Sequence, residues 1–164
     1  MIVRYGSETD IAALTVVELS AGTVFEGTHM AWAVGQTSAP EYFRAALAQK
    51  ALWVADDGGM PVGFLRAERL AGSFYIDEMS VAVSHQRRGI GRRLMEVALA
   101  EAVQRGFGAA SLITDRTIPW NAPLYAQFGF QVLSAEETPP ALARRLAVQT
   151  NPARRCVMWC ALDG

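Results

Sequence analysis

The chain has few of the residues that would indicate a metal centre or a disulfide framework. It contains only two cysteines and two histidines. Cys156 and Cys160 are four positions apart, and in a strand this spacing places the two sulfurs too far apart for a disulfide. The pair also lacks the two further ligands and the spacing of a structural zinc site. We therefore expect free thiols in a reducing compartment, and no metal.

Long apolar runs and an excess of charge of one sign are also missing. No run approaches the about 20 apolar residues that a membrane-spanning helix needs. The formal net charge of −1 gives no general attraction to nucleic acid or to a membrane surface. The opening residues 1–5 lack the features of a signal peptide. These absences favour a cytoplasmic protein without nucleic-acid or membrane partners.

The chain is rich in hydrophobic residues, which make up 51% of its 164 positions and suffice for one packed core. No linker rich in Gly, Ser or Pro divides it, so we expect a single domain over residues 1–164. Residue patterns predict strands over 1–6, 51–55, 62–69, 74–83, 109–114, 130–133 and 155–162. Capping residues and helical spacing predict helices after Ser7, from Ser38 to about Lys50, and over 89–105, 122–128 and 141–148.

This order of elements predicts an α/β (α+β) fold with a mixed sheet covered by helices on both faces. The strand ending near Val83, the helix 89–105 and the strand 109–114 form a β-α-β unit, whose strands should be parallel neighbours. Residues 20–37 remain ambiguous between a loop and a broken helix, because glycines interrupt them.

A turn rich in glycine and arginine, Gln86–Gly91, separates a predicted strand from the longest predicted helix. Backbone N–H groups at a helix N-terminus lack partners within the helix, and the helix dipole adds partial positive charge there. Such a turn is suited to bind a phosphate or pyrophosphate, although glycines in this spacing also occur in turns that merely start a helix.

The spacing of the turn differs from those of two common phosphate loops. It lacks the Gly-x-x-x-x-Gly-Lys-Ser/Thr pattern of triphosphatases. A dinucleotide fingerprint needs a third glycine three residues after Gly91, where the chain has Leu94, while Asp115 could still supply an acidic contact to a ribose. A triphosphatase is therefore disfavoured, and a nucleotide-binding protein remains an alternative.

Two motifs of the chain resemble those of a known family. Residues 79–81 (Met-Ser-Val), followed by 86–92 and a long helix, resemble the signature of the GNAT family of acyl-CoA N-acyltransferases. Residues 119–130 resemble the family's second landmark, which is an asparagine at a helix start, a tyrosine and then Gly-Phe. The resemblance is strong over residues 51–133, and the order of elements fits it over 2–162.

The resemblance implies a GNAT-like fold, with a mostly antiparallel central sheet and a splayed parallel β-α-β unit. In the family, the pantetheine arm of acetyl-CoA fills the splay and pairs with backbone groups, which here would belong to Met79, Ser80 and Val81. The pyrophosphate would lie on the turn, bound by backbone N–H groups of residues 87–92, which include Gly89, Ile90 and Gly91. Arg87, Arg88 and Arg92 would add side-chain charge.

Acetyl transfer to an amine needs a base for the amine, a donor to the thioester oxygen and an acid for the departing thiolate. The resemblance implies Tyr125 as the acid, with a core tyrosine as the alternative. Glu78 is the candidate base, because half-burial raises the pKa of a carboxylate. Pairing with an arginine is its alternative role, Asp77 points to the opposite face, and Asp115 is a further option.

Three further residues are weaker candidates. Asn121 either contacts the CoA arm or only caps a helix, and the family's usual asparagine position falls at Ile118, whose side chain cannot hydrogen-bond. His85 lies just before the turn, where an exposed loop residue is the simpler interpretation. His29 lies in the ambiguous segment, where a partly buried or loop histidine is the simpler interpretation.

The sequence thus predicts an N-acetyltransferase that moves an acetyl group from acetyl-CoA to a primary amine by direct attack in a ternary complex. A regulatory module that binds acyl-CoA without catalysis is the alternative from another class, beside the nucleotide-binding protein. The expected acceptor is a small-molecule or peptide amine. A homodimer is compatible with the family resemblance.

Overall fold

The computed structural model describes residues 1–163, which contain a seven-stranded sheet. The strands are β1 (Ile2–Tyr5), β2 (Leu52–Asp57), β3 (Met60–Leu70), β4 (Ser73–Val81), β5 (Ala109–Asp115), β6 (Gln131–Val132) and β7 (Arg155–Ala161). Their order in the sheet is β1-β2-β3-β4-β5-β7-β6. The β4–β5 pair is parallel, and the β1–β2, β2–β3, β5–β7 and β6–β7 pairs are antiparallel. The sheet confirms the mixed, mostly antiparallel fold.

Five α-helices are interspersed among these strands in the described part of the chain, and each lies close to a predicted helix. They are α1 (Ile11–Gly22), α2 (Pro40–Ala48), α3 (Ile90–Gln104), α4 (Asn121–Ala126) and α5 (Pro140–Ala147). The ambiguous segment resolves into the end of α1 and two short 3-10 turns, Thr23–Phe25 and Ala31–Ala33. Two of its glycines, Gly27 and Gly35, have positive φ values, and both follow the first of these turns.

The chain divides into two compact units. The first comprises residues 1–67 and 78–98, and its core packs α1 and α2 against β2 and β3 through Leu14, Phe43, Val54, Phe64 and neighbouring residues. The second comprises residues 68–77 and the chain from Leu99 onwards, and its core joins Tyr75, Leu142 and Val157. The single domain over 1–164 therefore stays a prediction.

The hairpin between β2 and β3 forms where the sequence predicts it. Gly58 and Gly59 have φ values of 64° and 91°, which a residue with a side chain rarely adopts. The Asp56 carboxylate accepts the Gly59 N–H at 2.6 Å and closes the turn. Local turn chemistry therefore sets the register of this hairpin.

The parallel pairing of β4 with β5 confirms the predicted β-α-β unit. Its ladder is three pairs long and runs from Phe74–Ala110 to Ile76–Leu112. The strand β4 then continues to Val81 and leads into the glycine turn. The part of β4 after the ladder, residues 77–81, therefore leads directly into the candidate site.

Candidate functional site

The segment between β4 and α3 is a tight turn whose backbone twice enters the left-handed region. A 3-10 turn spans Val83–His85, and Arg87 and Gly89 then have φ values of 59° and 78°. The helix α3 begins at Ile90, and the Arg93 N–H donates to the Gly89 carbonyl at 3.0 Å. The first N–H groups of a helix have no partner within it, so this turn presents the positive end of a helix dipole.

Two side chains hold this turn to the rest of the first unit. The Gln86 side-chain amide donates from Nε2 to the Val81 carbonyl at 3.0 Å, which links the turn to the end of β4. The Val83 N–H donates to Ser20 Oγ on α1 at 2.9 Å. Sequence reasoning missed both contacts, and the second joins residues 63 positions apart, so no local pattern could indicate it.

Two glycines allow close approach around the turn. A Cβ on Gly63 in β3 would lie 3.1 Å from the Ser80 carbonyl oxygen and 3.4 Å from Ile90 Cγ2. A Cβ on Gly91 would lie 3.4 Å from Met79 Cε. Gly63 was not a predicted site residue, although a glycine inside a strand is a known signal of close backbone approach.

The arginines of the turn differ in their surroundings. Arg87 and Arg88 are both exposed, and no ion pair is described for either. Arg92 donates from Nε to Glu96 Oε1 at 3.1 Å, and Arg93 Nη1 lies 3.6 Å from the other oxygen of the same carboxylate. Exposed pairs of this kind are weak, so the side chain of Arg92 remains able to exchange partners.

The two adjacent carboxylates of β4 have different partners. Asp77 Oδ1 lies 3.6 Å from Arg145 Nη1. Glu78 is half-buried and accepts the Ser80 hydroxyl at 3.3 Å. Glu78 lies in the first unit, next to the strand residues 79–81 that are predicted to bind the cofactor.

Asp115, the third carboxylate considered, has a structural role at the end of β5. It is buried, and its Oδ1 accepts the N–H groups of Thr117 and Ile118 at 2.8 and 3.2 Å. The same oxygen accepts the Thr117 hydroxyl at 2.7 Å. This set of donors to one carboxylate oxygen closes the turn after the strand.

Tyr125 and Asn121 lie in the second unit, on α4. The Tyr125 ring packs edge-on against Phe130 with 6.3 Å between ring centroids, and burial raises the pKa of Tyr125 to about 12. Asn121 is the first residue of α4, whereas Trp120 occupies the N-cap position. The assigned cap position is thus one residue before Asn121, and the contact of Asn121 with the CoA arm stays a prediction.

The two histidines lie in the first unit. His85 Nδ1 and Ser84 Oγ share a hydrogen bond of 2.8 Å, and His85 Nε2 lies 3.4 Å from Asp57 Oδ2. These contacts tie the β2–β3 hairpin to the start of the turn. His29 is half-buried between the two 3-10 turns that follow α1.

The cysteines lie in β7, where both are free and buried, and burial raises the pKa of each thiol. Within residues 1–163, no group of three or more His, Cys, Asp or Glu side chains is arranged to hold a metal ion. None of the helices described here has the length and apolar character that a bilayer crossing requires.

Comparison with known proteins identifies a family that this chain matches. A family model described as an acetyltransferase (GNAT) domain matches residues 48–132, which is more than half of the chain. The rat protein N-acetyltransferase family 8 member 3 is 31% identical over 85 residues, which cover 48% of this chain and 37% of that protein. The matched region thus spans little more than a third of this curated relative.

Solved structures share the fold over nearly the whole chain. The PaiA N-acetyltransferase of Thermoplasma acidophilum, solved with coenzyme A, aligns with a TM-score of 0.76 and 14% identity, covering 98% of both chains. The ribosomal-protein-S18-alanine N-acetyltransferase of Escherichia coli aligns with a TM-score of 0.74 and 18% identity, covering 99% of this chain and 94% of that one. Because the family model matches more than half of the chain, the chain belongs to the GNAT acetyltransferase domain family.

Proposed function

We propose that this domain transfers an acetyl group from acetyl-CoA to a primary amine by direct attack within a ternary complex. The observation that carries the proposal is the turn 86–91, with its two left-handed residues at the start of α3, inside the region that the GNAT domain model matches. The complex of PaiA with coenzyme A supports CoA as the molecule bound by this fold.

The turn suits the pyrophosphate of acetyl-CoA. The N–H groups of Gly89, Ile90 and Gly91 belong to a helix start, where anions are stabilised by unpaired donors and by the helix dipole. Arg87, Arg88 and Arg92 add positive charge that the chain as a whole, with a net charge of −1, does not have. The anion site is therefore local.

The end of β4 suits the pantetheine arm and the thioester. The ladder with β5 covers Phe74–Ile76, and the backbone of Met79, Ser80 and Val81 follows it. Backbone pairing with an extended arm resembles the addition of a strand and needs no particular side chain. A backbone N–H in this stretch would donate to the thioester carbonyl and stabilise the oxyanion as the amine attacks.

Glu78 is the proposed base. Deprotonating an amine with a pKa of about 10.4 at neutral pH costs about 4–5 kcal/mol, so a proton acceptor at the site speeds the reaction. Glu78 is half-buried and directly precedes Met79, Ser80 and Val81, the residues proposed to bind the arm and the thioester. Asp77 is engaged by Arg145, and Asp115 Oδ1 closes a turn, so neither of the other carboxylates suits this role as well.

Tyr125 is the proposed acid, a role that rests on its place in the family's second motif. With a pKa raised to about 12, its hydroxyl keeps its proton at neutral pH. As the C–N bond forms and the C–S bond breaks, the thiolate of CoA would take this proton. Asn121 is proposed to contact the CoA arm, because Trp120 and not Asn121 holds the cap position of α4.

An acetyl-transfer assay tests the proposal. The protein is incubated with acetyl-CoA and a panel of small amines, amino acids and peptides, and release of the CoA thiol is followed together with the mass of the amine. Amine-dependent thiol release with one acetyl group added to the amine supports an enzyme. Saturable acetyl-CoA binding without transfer to any member of the panel would favour a regulatory acyl-CoA-binding module.

A further inference from the structure

The turn contains a residue whose backbone conformation is unfavourable for its type. Arg87 has a φ of 59°, in the left-handed region that suits glycine and that a side chain disfavours. Such residues persist where their surroundings hold them in place, and they concentrate at functional sites. The turn must therefore contain a contact that keeps Arg87 in this conformation.

Gln86, the residue before Arg87, makes such a contact. Its backbone N–H donates to the Val83 carbonyl at 3.2 Å, and its side-chain Nε2 donates to the Val81 carbonyl at 3.0 Å. The residue is half-buried, and both bonds lead back toward β4. Gln86 thus fixes the chain at the point where it enters the left-handed residue.

We propose that Gln86 is a positioning residue for the acetyl-donor site. Its side-chain amide closes the loop 82–86 onto Val81 and thereby holds Arg87 in the left-handed conformation that directs the N–H groups of the turn at the anion. The inference rests on the proposed function, because it assigns the anion to the pyrophosphate of acetyl-CoA. Gln86 itself does not need to touch the ligand.

If Gln86 acts in this way, its contribution to the affinity for acetyl-CoA depends on the residue at position 87. When the contact to Val81 is lost, a residue with a Cβ at position 87 leaves the left-handed region. The N–H groups of the turn then no longer point at one anion, and the affinity for acetyl-CoA falls. Glycine populates the left-handed region about as readily as the right-handed one, so the contact matters less to it. Replacing Arg87 with alanine or with glycine removes the same charge, and the two backgrounds differ only in this backbone preference.

The experiment is a double-mutant cycle read by calorimetric titration with acetyl-CoA. Gln86→Met keeps the length of the side chain and its neutrality but removes the N–H donor. We expect it to weaken acetyl-CoA binding by about tenfold in the Arg87→Ala background, the equivalent of one hydrogen bond. In the Arg87→Gly background we expect a loss of less than about threefold. Thermal unfolding of all four variants identifies any that fails to fold.

The outcomes separate this inference from the proposed function. Equal losses in the two backgrounds, or no loss in either, would overturn the positioning role while leaving the binding of acetyl-CoA intact. Absence of acetyl-CoA binding by the unmodified protein would overturn both. A turnover number at saturating acetyl-CoA that stays within about twofold of the parent in each background supports a role confined to donor binding.

Discussion

Asp77 Oδ1 lies 3.6 Å from Arg145 Nη1, while the next residue, Glu78, accepts the hydroxyl of Ser80 at 3.3 Å. Arg145 also donates to Glu68 at 2.7 Å, so Asp77 belongs to a cluster of opposite charges. Adjacent residues of a strand point to opposite faces. Two carboxylates that are neighbours in sequence thus have different described partners, and the proposal assigns the role of the base to Glu78.

Replacing Glu78 tests the proposed base. Glu78→Gln keeps the size of the side chain and removes its ability to accept a proton, so we expect kcat to fall by about a hundredfold. The dissociation constant for acetyl-CoA should change little, because the pyrophosphate and the arm bind to other groups. Steady-state kinetics and calorimetry measure the two quantities.

The matched control is Asp77→Asn, on the same strand. Its expected effect is a loss of folding stability from the weakened ion pair with Arg145, with kcat nearly unchanged. Full turnover in Glu78→Gln would exclude Glu78 as the base. A greater loss of kcat in the Asp77 variant than in the Glu78 variant would reverse the assignment.

Tyr125→Phe tests the proposed acid. We expect kcat to fall by about a hundredfold while the affinity for acetyl-CoA is kept, because the ring still packs against Phe130 and only the hydroxyl is lost. Since the pKa of Tyr125 is raised to about 12, its ionisation should cause no alkaline decline of kcat below about pH 10. Unchanged turnover in the phenylalanine variant would remove Tyr125 from the mechanism.

Alkaline stability tests the burial of two tyrosines. Burial raises the pKa of both Tyr75 and Tyr125 to about 12, against about 10 in the unfolded chain. The folded chain therefore holds its phenol protons more tightly, so this stability is complete below about pH 10 and is lost as the pH rises toward 12. Urea unfolding across this range should show a smaller loss in Tyr75→Phe than in the parent protein, and an equal loss in the two would contradict this account.

Gly63 should be intolerant of a side chain. A Cβ there would lie 3.1 Å from the Ser80 carbonyl, so Gly63→Ala should push β3 from the end of β4 at a cost of about 1–3 kcal/mol in the free energy of unfolding. Acetyl-CoA binding should weaken in parallel, because Ile90 at the start of α3 contacts the same point. Gly108→Ala is the control, since its Cβ would meet nothing within 4 Å. Equal stability of the two variants would contradict this account of Gly63.

Local patterns predicted the parts of the fold whose causes are local. Gly58 and Gly59 set the hairpin through their own backbone freedom, and the Asp10 carboxylate accepts the Ser7 N–H at 2.8 Å before α1, in the part of the chain where a helix start was predicted. The turn 86–91 was identified from its glycines and from its place between a strand and a helix. Each of these features depends on residues a few positions apart.

The features that the sequence did not reveal depend on distant partners or on backbone choices that residue type does not fix. The Ser20–Val83 hydrogen bond joins two elements far apart along the chain. Arg87 adopts a conformation that its residue type disfavours, so its propensity pointed away from the observed turn. Asn121 has the residue type of a helix cap, but the helix starts one position earlier than such a cap requires.

The most direct test of the account is a calorimetric titration of the protein with acetyl-CoA, with NAD and ATP titrated in parallel. We predict saturable binding of acetyl-CoA that weakens in Gly89→Val, because position 89 has a φ of 78° that a β-branched residue cannot adopt without strain. Binding of NAD or ATP without binding of acetyl-CoA would contradict the proposed function of the turn.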